Sequence, residues 1–513
     1  MKFFRWATDR LQGQDGIVCF VSNNGFLHNK AFDGFRQHLS TDFQRIFHFD
    51  FKGNARTTGE QRRREGGNIF RDTIRVGVGI TVLVRNAHLR GCQISYHVVR
   101  DYGRAEEKAS EFSAFKGIGD VPWTLLAPDP THTWFVPANA CEFASLVPIN
   151  EVFSMHSLGV NTNRDDVVYD FQPRALEERL VRVIEDFNGE IDRYRRAGEP
   201  SDLDQFVRYE LIKWSDDLKA NLRRKRYAQF ASDRIRKSFY RPFTKKSLFF
   251  DRTLIDRVYR NFLIFPRPES QNRVICCTNH TQMPFVAQVT DCIPNQAPGG
   301  RAGQCFPFYT YSPDGSNRRE NITDAALENF RAHYANRAIS KWDIFHYIYA
   351  ALHHPAYREK FADNLKRELP RIPSAPDFAA FAAAGRELAR LHVDYESLEP
   401  WPLEWIENPA VPLSYRVEDK MRLNKDKTAL TVNPSLTLAG IPRETFDYRL
   451  GNRSALEWVV DQYRVTQDDR SGIKSDPNRD DDPQYIVRLV GQVVRVSLET
   501  TRLVRTLPSV FPA

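Results

Sequence analysis

Long hydrophobic runs are absent from this sequence of 513 residues. Apolar stretches such as Gly77–Val84 are far shorter than the roughly 18 residues that a membrane helix needs. The first residues contain no apolar core and no small-residue cleavage site, so we expect no signal peptide. These absences predict a cytoplasmic protein that does not bind membranes.

Cysteine is scarce, with 7 residues scattered over the first 305 positions. An odd number in this arrangement favours reduced thiols over a disulfide framework. Cys276, Cys277, His280, Cys292 and Cys305 are close enough in sequence to suggest zinc. They contain no CxxC pair, however, and adjacent cysteines rarely bind one ion together, so we expect buried or loop thiols and no metal.

Several catalytic signatures are also missing from the sequence. It contains no phosphate loop, no HExxH helix and no DEAD-type helicase motif. One glycine pattern, Phe115–Gly119, does fit the FxGxG motif that opens the cofactor loop of S-adenosylmethionine-dependent methyltransferases. That loop follows a strand, whereas residues 105–115 are predicted to be helical. We therefore interpret Phe115–Gly119 as a chance match.

Hydrophobic residues make up 41% and charged residues 27%, as in an ordinary globular protein. The net charge of +8 is unevenly distributed. Lys219–Arg260 contains fourteen Lys and Arg against three Asp, which is +11 and leaves −3 for the rest of the chain. Aromatic residues are interleaved with these cations, a composition that can neutralise phosphates and stack on bases. A solvated helix face followed by a strand with inward aromatics would give the same pattern.

The first hundred residues alternate between helical and strand patterns. Ile17–Ser22 is continuously apolar, which is typical of a strand buried in a parallel sheet. We predict helices over residues 2–12 and 30–39, strands over 17–22, 45–51, 76–84 and 93–99, and a polar loop over 52–67. This order predicts the trailing half of an α/β doubly wound sheet.

The rest of the chain mixes helices with short strands and proline-rich loops. We predict helices over residues 101–115, 177–197, 341–353, 356–369, 377–392, 453–463 and 483–505, with short strands over 400–438. Such segregated helices and strands favour an α+β fold with a helical subdomain.

An ordered set of short motifs resembles one family over nearly the whole chain. It is similar to DNA adenine-N6 methyltransferases, and most similar to the single-chain Type ISP restriction–modification enzymes. The early motifs, Lys2–Ala7, Gly16–Leu27, Phe32–Arg36, Phe47–Asn54, Asn68–Phe70 and Val76–Val84, resemble the later motifs of the methyltransferase domain. The later ones, Tyr240–Phe243, Cys292–Pro294, Gly303–Pro307, Lys366–Pro370, Tyr448–Ser454, Leu456–Trp458 and Ser471–Asn478, resemble the target-recognition domain.

The resemblance implies a fold and three parts. Residues 1–100 would be the C-terminal part of the methyltransferase domain, motifs V to VIII, with a Rossmann-like sheet. Residues 101–200 would be a linker with a helical connection. Residues 201–513 would be the α+β target-recognition, or specificity, domain, with a helical insertion at about 340–395.

The sequence also departs from the family pattern. The cofactor-binding motifs and the Asn-Pro-Pro-Tyr tetrapeptide are missing, since Asn408-Pro409 and Asn433-Pro434 lack the second proline. The family implies S-adenosylmethionine for the complete enzyme, but we expect no cofactor in this chain and no methyl transfer by it alone. We predict sequence-specific binding of double-stranded DNA. The expected companion chain would carry motifs I to IV and a nuclease–helicase.

Two other functions remain open. The chain could be a complete S-adenosylmethionine-dependent methyltransferase that uses Phe115–Gly119 as its cofactor loop. It could instead be a degenerate specificity module that binds a partner protein and no DNA.

A methyltransferase of this kind must extrude its target base and hold it. The resemblance places Phe70 at the position of the aromatic that stacks on the flipped base, although a core aromatic at a strand edge is the alternative. Asn23 and Asn24 follow a strand at its carboxyl end, where ligands bind in open α/β sheets, although an ordinary Asn-Gly turn explains them equally well. These three residues are the predicted base pocket.

The basic segment supplies the predicted DNA contacts. Arginine reads guanine edges and lysine mostly contacts phosphates. We expect Tyr240 mainly to hold its strand in place, and Arg241 has a structural alternative in which it pairs with Asp233 or Asp251. The predicted DNA-binding residues are Arg223, Arg224, Arg236, Lys237, Tyr240, Arg241, Lys245 and Lys246.

Overall fold

The structure is a computed structural model that describes residues 1–57, 59–280, 283–469 and 471–512. The chain divides into two compact units. The first comprises Met1–Ser145, Asn279–Pro284 and Phe361–Glu368, and the second comprises Leu146–Thr278, Phe285–Lys360 and Leu369–Ala513. The domain boundaries expected near residues 100 and 200 stay predictions. Among the described residues, no helix has both the length and the apolar character needed to cross a membrane.

Helices lie in both units of the chain. In chain order they are α1 (Lys2–Arg10), α2 (Gly25–His28), α3 (Asp33–Asp42), α4 (Gly59–Glu65), α5 (Ala105–Ala114), α6 (Ala140–Ser145), α7 (Ile149–Val152), α8 (Asp165–Val168), α9 (Pro173–Arg196), α10 (Leu203–Phe206), α11 (Asp216–Arg223), α12 (Asp324–His333), α13 (Lys341–Ala351), α14 (Pro355–Lys360), α15 (Ala362–Leu365), α16 (Phe378–Val393), α17 (Ala455–Gln462) and α18 (Tyr485–Arg505).

Strands also lie in both units. In chain order they are β1 (Gly16–Asn23), β2 (Arg45–Asp50), β3 (Val78–Arg85), β4 (Gln93–Val98), β5 (Thr124–Leu126), β6 (Val147–Pro148), β7 (Ser157–Leu158), β8 (Tyr169–Asp170), β9 (Ile235–Arg241), β10 (Thr244–Phe249), β11 (Val274–His280), β12 (Met283–Thr290), β13 (Ile293–Pro294), β14 (Gln304–Pro307), β15 (Tyr309–Thr310), β16 (Arg319–Glu320), β17 (Arg371–Ile372), β18 (Glu404–Glu407), β19 (Arg422–Leu423), β20 (Ala429–Asn433), β21 (Leu436–Ala439), β22 (Arg449–Leu450), β23 (Arg453–Ser454), β24 (Thr466–Gln467) and β25 (Lys474–Ser475).

The first unit is built on a mixed sheet with strand order β1-β3-β2-β4-β5. Strand β3 is antiparallel to both of its neighbours, and β2 is parallel to β4, so the carboxyl ends of β1, β2 and β4 lie at one edge of the sheet. Helix α1 packs on one face through Phe4, whose ring centroid lies 4.7 Å from that of Phe20. This edge is where ligand-binding loops of open α/β sheets are found.

Strand β1 is an edge strand, and the expectation that it is buried in a parallel sheet is wrong. It pairs with the antiparallel β3 alone, as Cys19 opposite Val82 illustrates. Its residues alternate between the two faces, so Val18 is buried, whereas Ile17 is 67% and Val21 55% exposed. In this protein, the continuous apolar run therefore forms an edge strand whose outer face is exposed to solvent.

Two further local expectations are wrong in part. The polar loop predicted over residues 52–67 contains α4, a short helix with three consecutive arginines in its last turn. The helix predicted from Lys30 begins with one turn of 3-10 helix, Lys30–Phe32, before α3. Residues 59–65 contain no apolar side chain, so the periodicity that predicts a helix from sequence is absent from α4.

The second unit contains several small sheets and a group of packed helices. Helix α18 buries Leu489, Val490, Val493 and Val494. Helices α13 and α16 cross so closely that a Cβ on Gly385 would lie 1.8 Å from the carbonyl oxygen of His346, a contact that only glycine permits. Burial of this apolar surface stabilises the unit, at roughly 25 cal/mol per Å2 removed from water.

Candidate nucleic-acid interface

The basic segment contributes two strands to the sheet β13-β9-β10-β8 of the second unit. Strands β9 and β10 form a hairpin in which Lys245 lies opposite Phe239 and Lys246 lies opposite Ser238. Directly opposite residues share a face of a sheet, and consecutive residues point to opposite faces. The two lysines therefore point to different faces, and the predicted DNA-binding residues do not form one surface.

Lys245 is directed into the second unit. Its Nζ lies 2.9 Å from Oε2 of Glu396 and 4.9 Å from the centroid of the Tyr395 ring. It also donates to the carbonyl oxygen of Val393 at 3.3 Å. Burial lowers the pKa of Lys245, but Glu396, Cys292 and Asp291 together outweigh this effect, so the pKa is raised overall. The charge of Lys245 is thus neutralised within the protein.

Lys246 lies between two aromatic rings. Its Nζ is 4.3 Å from the centroid of Phe171 and 4.4 Å from that of Tyr240. Burial lowers the pKa of Lys246 to about 8, and Asp170 and Asp165 oppose this shift. The Tyr240 hydroxyl donates to Oδ2 of Asp165 at 2.9 Å. Lys246 and Tyr240 therefore belong to the packing of this hairpin.

Arg241 is held by neighbouring polar groups. Its Nη1 donates to Oδ1 of Asn295 at 2.9 Å and to the carbonyl oxygen of Tyr240 at 2.6 Å. The structural alternative, in which Arg241 pairs with Asp233 or Asp251, is wrong about the partner carboxylate. Asp251 pairs with Arg234, and the carboxylate that lies beside Arg241 is Asp165, at 4.0 Å. Whether Arg241 also contacts DNA stays a prediction.

Three of the predicted cations are exposed and unneutralised. Arg223 and Arg224 lie at the end of α11, and Lys237 lies on β9. Within the described part of the chain, none of them forms an ion pair with a carboxylate. Arg236 is half-buried and donates to the carbonyl oxygen of Arg267. The exposed cations are the ones able to reach phosphates.

Sequence reasoning missed a groove that is lined by other arginines of the basic segment. The groove has a volume of about 410 Å3, and four arginines line it: Arg226, Arg234, Arg236 and Arg252. Only Arg236 was among the predicted residues. The only signal for these residues in the sequence was that the basic run continues beyond Arg224. Which arginines come together in the groove depends on the fold of the loop at residues 250–268.

The predicted base-pocket residues lie in the first unit. Asn23 ends β1, and its Oδ1 accepts a hydrogen bond from the backbone N–H of Gly25 at 3.0 Å, so Asn23 forms an ordinary Asx turn. Asn24 donates through Nδ2 to Oδ1 of Asp50, at the end of β2. The backbone N–H of Asn24 also donates to the carbonyl oxygen of Gly77 at 2.9 Å, seven residues after Phe70.

Asp50 is a buried carboxylate that sequence reasoning did not select. It accepts hydrogen bonds from the Tyr96 hydroxyl at 2.8 Å and from the Lys52 backbone N–H at 2.7 Å. Burial raises its pKa to about 6, and these hydrogen bonds oppose the shift. A charged residue at the end of an apolar strand was the only sequence signal for this network.

Phe70 is presented at the surface by its neighbour Asn68. The Asn68 side chain accepts from the Phe70 backbone N–H at 2.9 Å and donates to the carbonyl oxygens of Gly53 and Val76. Phe70 is 41% exposed, which excludes the alternative that it is a core aromatic. Part of the ring is therefore accessible from solvent.

The glycines of Phe115–Gly119 do not fit a cofactor loop. Helix α5 ends immediately before Phe115, and a 3-10 helix, Ile118–Asp120, follows Gly117. A methyltransferase cofactor loop needs a strand before the glycines, so that the backbone can approach the ligand. The residues in this segment therefore do not fit S-adenosylmethionine.

Comparison with known proteins identifies one family. Residues 151–489 match the family described as the Type ISP C-terminal specificity domain. No curated protein matches the chain.

Three solved structures are similar to the chain over 99% of its length. The first is a cryo-electron microscopy structure of the DrdV–DNA complex, with 36% identity and a TM-score of 0.88 over 52% of that chain. The second is a nuclease-deletion mutant of the Type ISP restriction–modification enzyme LlaGI in complex with a DNA substrate mimic, with 30% identity and a TM-score of 0.89 over 47% of that chain. The third is the ATP-dependent Type ISP restriction–modification enzyme LlaBIII bound to DNA, with 27% identity and a TM-score of 0.90 over 34% of that chain. The present chain thus spans about half the length of the first two.

Proposed function

We propose that this chain, which belongs to the family of Type ISP C-terminal specificity domains, recognises a specific sequence in double-stranded DNA within a cytoplasmic restriction–modification system. The observation that carries the proposal is the family match over residues 151–489. The proposal is supported by three proteins that share the fold. DrdV, LlaGI and LlaBIII are each described in a complex with DNA or a DNA mimic.

The charge distribution of the second unit agrees with this proposal. Arg223, Arg224 and Lys237 are exposed cations without a carboxylate partner among the residues described, so a DNA phosphate does not have to displace an internal ion pair. Lys245 is less suited, because Glu396 already neutralises it. We therefore assign the first three residues to the DNA surface and Lys245 and Lys246 to the support of the β9–β10 hairpin.

The first unit holds the extruded target base in this proposal. Adenine-N6 methyl transfer requires the base to leave the duplex, and an aromatic face then compensates for the lost stacking. Phe70 is exposed and held by Asn68, and Asn24 is fixed by Asp50 at the sheet edge. Phe70 would stack on the base. S-adenosylmethionine and the Asn-Pro-Pro-Tyr motif would come from a companion polypeptide.

The outer face of β1 is the surface that this companion would cover. Ile17 and Val21 are exposed on an edge strand and point to the face opposite to the one on which α1 packs. Unpaired strand edges and exposed apolar patches favour association. The companion would carry motifs I to IV and a nuclease–helicase, either in the same polypeptide or as a separate chain.

Selection of a randomised duplex pool on the full chain tests the DNA proposal. We expect one sequence to be enriched, and log affinity to fall with log salt at a slope between roughly −3 and −5, at ~0.9 per phosphate contact. Arg223→Ala with Arg224→Ala should reduce the slope by up to ~2 and weaken all sequences about equally. A chain that binds a partner protein but shows no salt-dependent DNA binding would instead be an interaction module.

A further inference from the structure

A concave group of arginines lies in the second unit, beside the exposed cations of α11. We call it the arginine groove and define it by Arg226, Arg234, Arg236 and Arg252, with Phe250 and Phe262 also in its wall. Its volume is about 410 Å3. A larger groove of about 570 Å3 elsewhere in this unit is lined by five carboxylates and five cations, and so carries no net charge.

The carboxylates of the arginine groove do not neutralise it. Two line it, Asp233 and Asp251. Asp251 is buried and accepts from Arg234 and from the backbone N–H groups of Thr253 and Leu254, at 2.7 and 3.0 Å, so its acceptor capacity is used within the protein. Arg226, Arg236 and Arg252 form no ion pair with a carboxylate of the described residues. The groove therefore has an unneutralised positive charge.

The Arg252 guanidinium is positioned by an aromatic stack. It lies 4.3 Å from the centroid of Phe262, whose ring stacks on Phe250 at 4.1 Å with an interplanar angle of 17°. Stacking occupies one face of the guanidinium and leaves its N–H edges available. A planar fork held in this way is suited to two parallel hydrogen bonds to a phosphate or carboxylate.

Arg236 has lost much of its hydration. Burial lowers its pKa, and Glu269 and Asp233 oppose this shift from a distance. One of its terminal nitrogens donates to the carbonyl oxygen of Arg267. A half-buried guanidinium gains more from an incoming anion than one in bulk water, because the local dielectric is lower.

We propose that the arginine groove binds a backbone phosphate of the duplex, with Arg226 and Arg252 as its contacting residues. This inference rests on the proposed function and assigns one of its contact sites. DNA is the favoured source of the anion because Arg226 lies three residues after the exposed Arg223, which ends α11, and two after the exposed Arg224. Three exposed arginines so close along the chain can contact successive backbone phosphates, whereas a single small anion would occupy one site.

A phosphate contact positions the protein but carries no sequence information. Arg226→Ala with Arg252→Ala should therefore weaken binding to every duplex by a similar factor. The slope of log affinity against log salt should become shallower by roughly 2, at ~0.9 per contact. Asp233→Asn should tighten binding roughly twofold to fivefold, because it removes an exposed carboxylate from the groove.

Arg257→Ala is the matched control. Arg257 is an exposed arginine of the same basic segment, but it pairs with Asp217 and does not line the groove. We expect its slope and affinity to equal those of the wild-type chain. Arg226→Ala alone keeps the Phe250–Phe262 stack intact and should lower the slope by ~1, which provides a test if the double variant has a lower melting temperature.

The outcomes separate this inference from the proposed function. Specific binding by the wild-type chain with an unchanged slope in Arg226→Ala would overturn the groove assignment and leave DNA recognition in place. A wild-type chain without salt-dependent DNA binding would overturn both. A changed preference at one base pair would also overturn the assignment, because the arginine would then read a base.

Discussion

Lys245 forms an ion pair with Glu396, with 2.9 Å between Nζ and Oε2. Glu396 also accepts a hydrogen bond from the Tyr485 hydroxyl at 2.8 Å. The pair therefore joins the β9–β10 hairpin to the segment after α16 and to α18 within the same unit. A lysine in the most basic segment of the chain thus serves the packing of the fold.

Lys245→Met should destabilise the protein without changing its interaction with DNA. The substitution leaves the half-buried Glu396 carboxylate with fewer partners, and we expect a loss of about 1–2 kcal/mol in the free energy of unfolding. Urea denaturation measures this loss. The salt slope of DNA binding should stay within error of the wild-type slope. Unchanged stability with a slope shallower by ~1 would instead place Lys245 on a phosphate.

Sequence reasoning located four of the five strands in the sheet of the first unit but missed β5 and the edge position of β1. The predicted strands over 45–51 and 93–99 match β2 and β4 to within one residue, because both segments are rich in aromatic and β-branched residues. The Type ISP resemblance and the mixed α/β fold are confirmed by the family match and the similar structures. The assignment of residues 1–100 to methyltransferase motifs stays a prediction.

The DNA-binding residues were harder to predict, because closeness in sequence is not closeness in space. Lys245 and Lys246 are adjacent in the chain and point to opposite faces of a strand, which the two-residue period of a strand already implies. Arg226 and Arg252 are 26 positions apart and line the same groove. Tertiary contacts of loops set that convergence, and no local pattern encodes it.

Asp50 should make the stability of the first unit depend on pH in a defined window. Its pKa is about 6 in the folded protein against an ordinary value of 3.8, so the folded state binds the proton more tightly. Burial of the charged carboxylate therefore destabilises the protein above pH 6. This penalty disappears as the pH falls from about 6 to 3.8.

Asp50→Asn provides the comparison, because the amide is similar in shape and stays neutral. The difference in unfolding free energy between wild type and variant should shift in favour of the wild type by up to about 3 kcal/mol between pH 7 and pH 4. Chemical denaturation of both proteins across this range measures it. A difference that does not change with pH would show that Asp50 has an ordinary pKa.

Phe70→Ala should impair base capture while leaving the fold intact. The ring is 41% exposed, so we expect less than about 0.5 kcal/mol of lost stability. Base–aromatic stacking contributes ~1–3 kcal/mol, so the affinity for a duplex with an extruded target base should fall roughly 5-fold to 150-fold. Fluorescence of 2-aminopurine at the target position reports this step. Phe70→Trp should retain most of the affinity, and equal binding by the Ala variant would place the ring outside the base pocket.

Charges on the outer face of β1 should prevent the association that we propose for it. Ile17→Lys with Val21→Lys places two ammonium groups on an exposed edge strand, where lysine blocks edge-to-edge pairing. Because both side chains are largely exposed, the melting temperature should stay close to that of the wild type.

Sedimentation velocity should show less self-association, and a fragment carrying motifs I to IV should no longer bind. Thr124→Lys, on the opposite edge strand β5, is the matched control and should change neither result. A wild-type chain that is monomeric and does not bind the fragment would contradict the assignment of this surface.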